Sequence, residues 1–178
     1  MPTPRRHVRA GFTLVEILVV VVILGLVSAV IIPQIGSRDD LRCAAAARVV
    51  MSDLIYAQNL AITQQQKRFV RFGTNQYGIY TSATAATPIT HPVNKTPYLM
   101  TFGASGSAGL RNAAIESRSF DGSPTLVFDE LGAPHKYDAL TGTTTPLSTA
   151  GQVVLVSGRY RLKILIEPFT GEVSVVQE

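Results

Sequence analysis

The distribution of apolar and polar positions divides the chain into a continuous apolar run, a second segment of helical period, and a long tail of short alternating stretches. Residues 12–32 read FTLVEILVVVVILGLVSAVII, interrupted by one ionisable side chain, Glu16. As a helix this run rises about 31 Å, enough to cross a hydrocarbon core of about 30 Å once. Arg5, Arg6 and Arg9 precede it and no comparable basic cluster follows. The positive-inside bias therefore predicts a cytoplasmic N-terminus and an extracytoplasmic remainder.

After Pro33 the polar patch Ser37, Arg38, Asp39 and Asp40 gives way to residues 41–66, which contain no Gly or Pro. Cys43, Ala47, Val50, Leu54, Ala57 and Ala61 recur at spacings of three and four, predicting a helix with an apolar stripe of mostly small side chains. Arg42, Arg48, Asp53 and Gln58 are assigned off that stripe. Residues 12 to about 65 are expected to form one long helix, bent at Pro33. Beyond residue 66 the period shortens. Strands are expected at 67–72 and 76–81, as a hairpin around Gly73-Thr74-Asn75, and at 98–102, 125–129, 153–156, 159–167 and 172–176. Residues 82–97 and 103–109 read as connections. The fold class is α+β, a long N-terminal helix with a transmembrane first half, packed on an antiparallel sheet head. The expected segments are a leader (1–11), a membrane helix (12–33), its extramembrane half (34–66) and a β-rich head (67–178).

Composition changes this picture little. The formal charge is +4, but three of the sixteen basic residues lie in the leader, leaving thirteen against twelve acids, so global charge argues for no anionic partner. Cys43 is the single cysteine, which excludes an intramolecular disulfide, and it is read as a small buried helix residue.

A carboxylate inside a spanning helix costs a few kcal/mol and marks a functional site. No basic residue within 12–32 can pair with Glu16. Cleavage between Gly11 and Phe12 would create an α-ammonium four residues upstream, and the same group on a neighbouring copy could pair with Glu16. A short basic leader, then Gly-Phe-Thr-Leu-x-Glu, then a long apolar helix, resembles the N-terminus of type IV pilins and pseudopilins. That resemblance implies cleavage after Gly11 by a prepilin peptidase, N-methylation of Phe12, and a role for Glu16 in guiding the subunit into a filament. It also implies that Gly25 and Pro33 are helix-weakening positions. Implied partners are other pilins or pseudopilins, the peptidase and an inner-membrane assembly platform, with the head in the periplasm of a bacterial cell. Many major pilins close a C-terminal loop with a disulfide, and its absence shifts weight toward pseudopilins and minor pilins. The helix with Leu54, Ala57, Ala61 and Ile62 followed by a hairpin, a strand closed by Phe128-Asp-Glu-Leu-Gly132, and the turn Pro168-Phe-Thr-Gly171 are similar to H-type minor pseudopilins of type II secretion and to T-type minor pilins.

The remaining chemistry is sparse. His91 and His135 have no metal-ligand companion at i+3 or i+4 and read as surface or loop residues. No nucleophile elbow or phosphate loop is present in the sequence, and no enzyme activity, metal or cofactor is expected. Asp129, Glu130 and Asp138 could converge on a hard cation but read as solvated turn carboxylates. Arg159, Arg161 and Lys163 at a period of two predict a basic strand face, with Tyr160, Leu162 and Ile164 on the other. That face, joined by Lys67 and Arg71, is a candidate anion site for DNA phosphates or acidic patches on neighbouring subunits. The sequence reading therefore favours a minor pseudopilin of type II secretion. A minor type IV pilin priming assembly or capturing DNA, and a membrane-anchored β-rich binding module, are the alternatives.

Overall fold

The computed structural model describes residues 12–31, 38–103 and 110–177. Two compact units are present, Met1–Arg38 and Asp39–Glu178. The first contains helix α1 (Leu14–Ile31), where expected. Its 18 residues rise about 27 Å, just under a hydrocarbon core of about 30 Å, and among the described residues no helix is long and apolar enough to cross a membrane. Pro33 and the expected helical continuity through it lie outside the described residues.

The second unit is built on helix α2 (Asp39–Gln64). Asp39 and Asp40 occupy its first turn, where the helix dipole favours negative charge. At the other end Gln65 adopts φ 49°, Gln66 N–H donates to Ala61 O (3.1 Å) and Gln65 N–H to Ile62 O (3.3 Å). This Schellman pattern satisfies the last carbonyls and turns the chain into the sheet. The predicted stripe is the buried face: Cys43, Ala47, Val50, Leu54, Ala57 and Ala61 are all inaccessible, joined by Ala46.

Among the described residues the antiparallel head is two sheets rather than one. The first has the order β3-β2-β1-β5-β6-β7, from β1 (Arg68–Phe72), β2 (Gln76–Tyr80), β3 (Leu99–Thr101), β5 (Thr125–Phe128), β6 (Pro134–Tyr137) and β7 (Thr144–Pro146). The second has the order β10-β9-β8-β4, from β4 (Ala114–Ser119), β8 (Gly151–Ser157), β9 (Tyr160–Ile166) and β10 (Val173–Gln177). The hairpin at 67–81 forms as expected, with Val70 opposite Ile79. Strands β4, β6 and β7 were not predicted, because β4 carries Glu116 and Arg118, β6 opens on a proline, and β7 is only three residues long. Helix α2 packs on β1 and β5 of one sheet and on β8, β9 and β10 of the other. Leu54, Tyr77, Phe128, Leu155 and Ile164 meet in the resulting core. Truncating a buried leucine of this kind to alanine costs about 2–5 kcal/mol.

Candidate functional site

Helix α1 begins with a cap. The Glu16 N–H donates to Thr13 Oγ1 at 3.2 Å, and Ile17 N–H to Thr13 O at 3.2 Å. Thr13 is thus the N-cap and Glu16 the third helical residue, the spacing of a capping box. The carboxylate also sits in the helix's first turn, where the positive end of the dipole favours it. The sequence carries this local reason for an acid at residue 16 as the pattern Thr-x-x-Glu. Phe12 lies just before the helix and is 76% exposed, and Leu14 is 81% exposed. From Leu14 to Val27 the large apolar side chains of α1 are exposed among the described residues, so their burial requires lipid or other chains. A Cβ at Gly25 would meet nothing within 4 Å. Gly11, with the basic leader, lies outside the described residues.

The basic face predicted on the head is rearranged. Arg159 is in the β8–β9 turn rather than on the strand. Arg161 makes a bidentate pair with Glu116 on β4, Nε to Oε2 at 2.7 Å and Nη2 to Oε1 at 2.8 Å, and this hydrogen bonding draws the Glu116 carboxyl below its usual range. Lys163 is half-buried on β9, and Ile164 points into the core as expected, while Tyr160 remains exposed. Lys67 and Arg71 do not join this group, because Arg71 lies on β1 in the other sheet and Lys67 immediately precedes that strand. Lys67 Nζ donates to Thr144 Oγ1 at 3.0 Å. Arg71 lies over the Tyr80 ring, 3.3 Å from its centroid, and donates to the carbonyls of Ala83 and Ala85.

The acidic turn residues are likewise separated. Asp129 Oδ1 accepts from the N–H groups of Leu131 and Ala133, while Asp138 Oδ1 accepts from Leu140 in a different turn. Among the described residues no three His, Cys, Asp or Glu side chains assemble as a metal site. His135 stands on β6, not in a loop, with Nε2 4.0 Å from Asp129. His91 stacks on Tyr98 with ring centroids 4.5 Å apart. Cys43 is fully buried, and burial pushes its thiol pKa up.

Asp53 corrects the sequence reading. Assigned to the outer face of α2, it is buried, accepting hydrogen bonds from Tyr77 Oη at 2.5 Å and Tyr98 Oη at 2.9 Å. Its spacing of three from Val50 and four from Ala57 already placed it on the stripe. Arg68 is buried too, with its Nε lacking a hydrogen-bond partner among the described residues and its other nitrogens bonded to Gln64, Gln66 and the Lys67 carbonyl.

Residues 6–32 match the family model described as a prokaryotic N-terminal methylation motif. The N-terminal segment is thus similar to that of type IV pilins and pseudopilins. Over 36 residues, 20% of its length, the chain is 56% identical to the type II secretion system core protein G of Pseudomonas aeruginosa. It spans about a quarter of the length of that curated relative. Its fold is similar to that of the minor pseudopilin EpsH from the type 2 secretion system of Vibrio cholerae, with a TM-score of 0.52 at 11% identity over 76% of this chain and 97% of that one. That likeness is one of fold, and it takes in most of the chain beyond the N-terminal motif.

Proposed function

We propose that the protein is a structural, non-catalytic subunit of a type II secretion pseudopilus, and specifically a minor, H-type pseudopilin. The observation that carries this reading is α1, an apolar helix whose large side chains are exposed among the described residues, with one carboxylate in its capped first turn. Such a helix is stable only where other apolar surfaces surround it. Lipid supplies these before assembly and the α1 helices of neighbouring subunits supply them afterwards. The likeness in fold to the minor pseudopilin EpsH supports the H-type assignment. In this reading the leader arginines hold the N-terminus in the cytoplasm, a prepilin peptidase cuts after Gly11, and the head lies in the periplasm beyond the inner membrane. Glu16 then pairs with the α-ammonium of a neighbour's N-methylated Phe12. An assembly platform lifts the subunit from the membrane, with Gly25 and Pro33 as points where the helix yields.

The test is the intact mass and N-terminal residue of membrane-extracted protein from cells with and without a prepilin peptidase. A peptidase-dependent chain beginning at methylated Phe12 is expected. An uncut chain, or one cut within α1, would overturn the pseudopilin reading in favour of an anchored or secreted β-rich module.

A further inference from the structure

The two sheets have four edges among the described residues, and three of them are blunted. Strand β3 is three residues long, β7 is equally short and contains Pro146, and β4 carries Glu116 and Arg118 with a register shift between Ile115 and Ser117. These are the devices by which edges avoid pairing with other chains. Strand β10 has none of them. Its five residues, Val-Ser-Val-Val-Gln, contain no charge, proline or register shift, and among the described residues it pairs only with β9.

The register identifies which groups are open. Glu167 N–H donates to Glu172 O at 2.9 Å, and Ile166 stands opposite Val173. By the antiparallel alternation, Ser174 and Val176 direct their backbone groups to β9, whereas Val173, Val175 and Gln177 direct theirs to the open side. Val175 and Val176, on opposite faces, remain 37% and 40% exposed. A cavity of about 270 Å³ lies where the strand's Gln177 end meets α2, with Leu41, Ala44, Tyr160 and Leu162 as its apolar lining and Asp40 and Arg161 as its charged lining, and Leu41 is 62% exposed. At the other end of the strand stand Glu167 and Glu172, both exposed.

We propose that β10 is a docking edge that accepts an extended segment of a different protein chain as an added strand, β-branched and uncharged along its length and carrying Lys or Arg where it meets Glu172. Backbone bonds to Val173, Val175 and Gln177 supply the pairing, and the cavity beside Leu41 takes an apolar side chain at the far end. A second copy of β10 is a poor occupant because residues 172–177 contain no basic residue to meet those carboxylates. This docking edge is independent of the pseudopilus assignment.

The test uses the full chain in detergent micelles and the capped peptide Thr-Val-Thr-Val-Thr-Val-Lys, followed by amide hydrogen exchange. Without peptide, the Val173, Val175 and Gln177 amides exchange fast and those of Ser174 and Val176 slowly. With saturating peptide the first three slow by roughly tenfold or more. Replacing the peptide's lysine by glutamate weakens binding by about two- to fivefold at low salt. Val175→Pro removes an outward N–H without touching the β9 ladder and abolishes the protection. Val175→Lys does so by charging the edge, and carries the test if the proline variant does not fold. Absence of protection, protection unchanged in the variant, or protection that depends on protein concentration without peptide would overturn the proposal, the last by making a second copy the occupant.

Discussion

Asp53 and Tyr77 share a 2.5 Å hydrogen bond inside the head, joining the middle of α2 to the second strand of the larger sheet. Burial raises the Asp53 pKa, and the hydrogen bonds from Tyr77 and Tyr98 only partly offset that rise. Asp53→Ala leaves both phenol groups without their acceptor and is expected to cost about 1.5–3 kcal/mol in urea unfolding, with Asp53→Asn milder. Because the folded pKa is raised, the cost of the charge is absent below the ordinary carboxylate pKa of about 4 and grows as pH rises through the folded value. The advantage of wild type over Asp53→Asn should therefore narrow as pH rises through that window. A constant gap would mean that Asp53 does not titrate differently in the folded state.

Asp121 has the opposite sign. It sits at φ 50° in the turn Phe120-Asp121-Gly122-Ser123, and its carboxylate accepts from the backbone and hydroxyl groups of both Ser148 and Thr149. Partial burial pulls its pKa up, but the four bonds outweigh this and bring it to about 2. Stability contributed by this pairing is present above pH ~4 and lost as pH falls toward 2. Asp121→Asn should flatten the acid limb of a thermal-melt series between pH 4 and 2, by well under the full shift because the group is largely solvated.

The long-range architecture was legible where period and turn chemistry agreed. The small-residue stripe of α2, the Gly73-Asn75 hairpin and the Pro168-Gly171 turn fall where expected, and α1 follows the apolar run. What stayed hidden depended on tertiary partners. Strands β4, β6 and β7 are specified by neighbouring strands rather than by their own residues, and the split into two sheets leaves no mark in strand spacing. The partner of Arg161 was not legible, because alternation shows which side a residue takes but not that Glu116, 45 residues away, pairs with it.

Arg68 is a buried cation bonded to neutral groups, and burial lowers its pKa. No carboxylate is paired with it among the described residues, so its desolvation is poorly offset. Arg68→Met should retain full stability or gain on the order of 1 kcal/mol in chemical denaturation. A loss of more than ~2 kcal/mol would show that the bonds to Gln64 and Gln66 hold the end of α2 in place.

Glu16 can be dissected because two explanations predict different substitutions. If its role is the cap with Thr13, Glu16→Gln works as well as Glu, since either side chain completes a capping box. If its role is pairing with a neighbour's ammonium, Glu16→Gln fails together with Glu16→Ala. We expect both variants to insert and be cleaved normally and both to lose crosslinking into filaments. Normal incorporation of Glu16→Gln would leave only the cap.

The alanines that line the inner face of α2 bring the backbones of helix and sheet close together, and backbones cannot rotate aside as a long side chain can. Ala46, Ala47 and Ala57 are fully buried, so an added methylene at any of them overpacks the space between helix and sheet. What natural variation must preserve along α2 is therefore clearance. Over evolutionary time the strands can exchange their residues freely while the gap they are built around keeps its width, and a fold shared at 11% identity is the expected outcome.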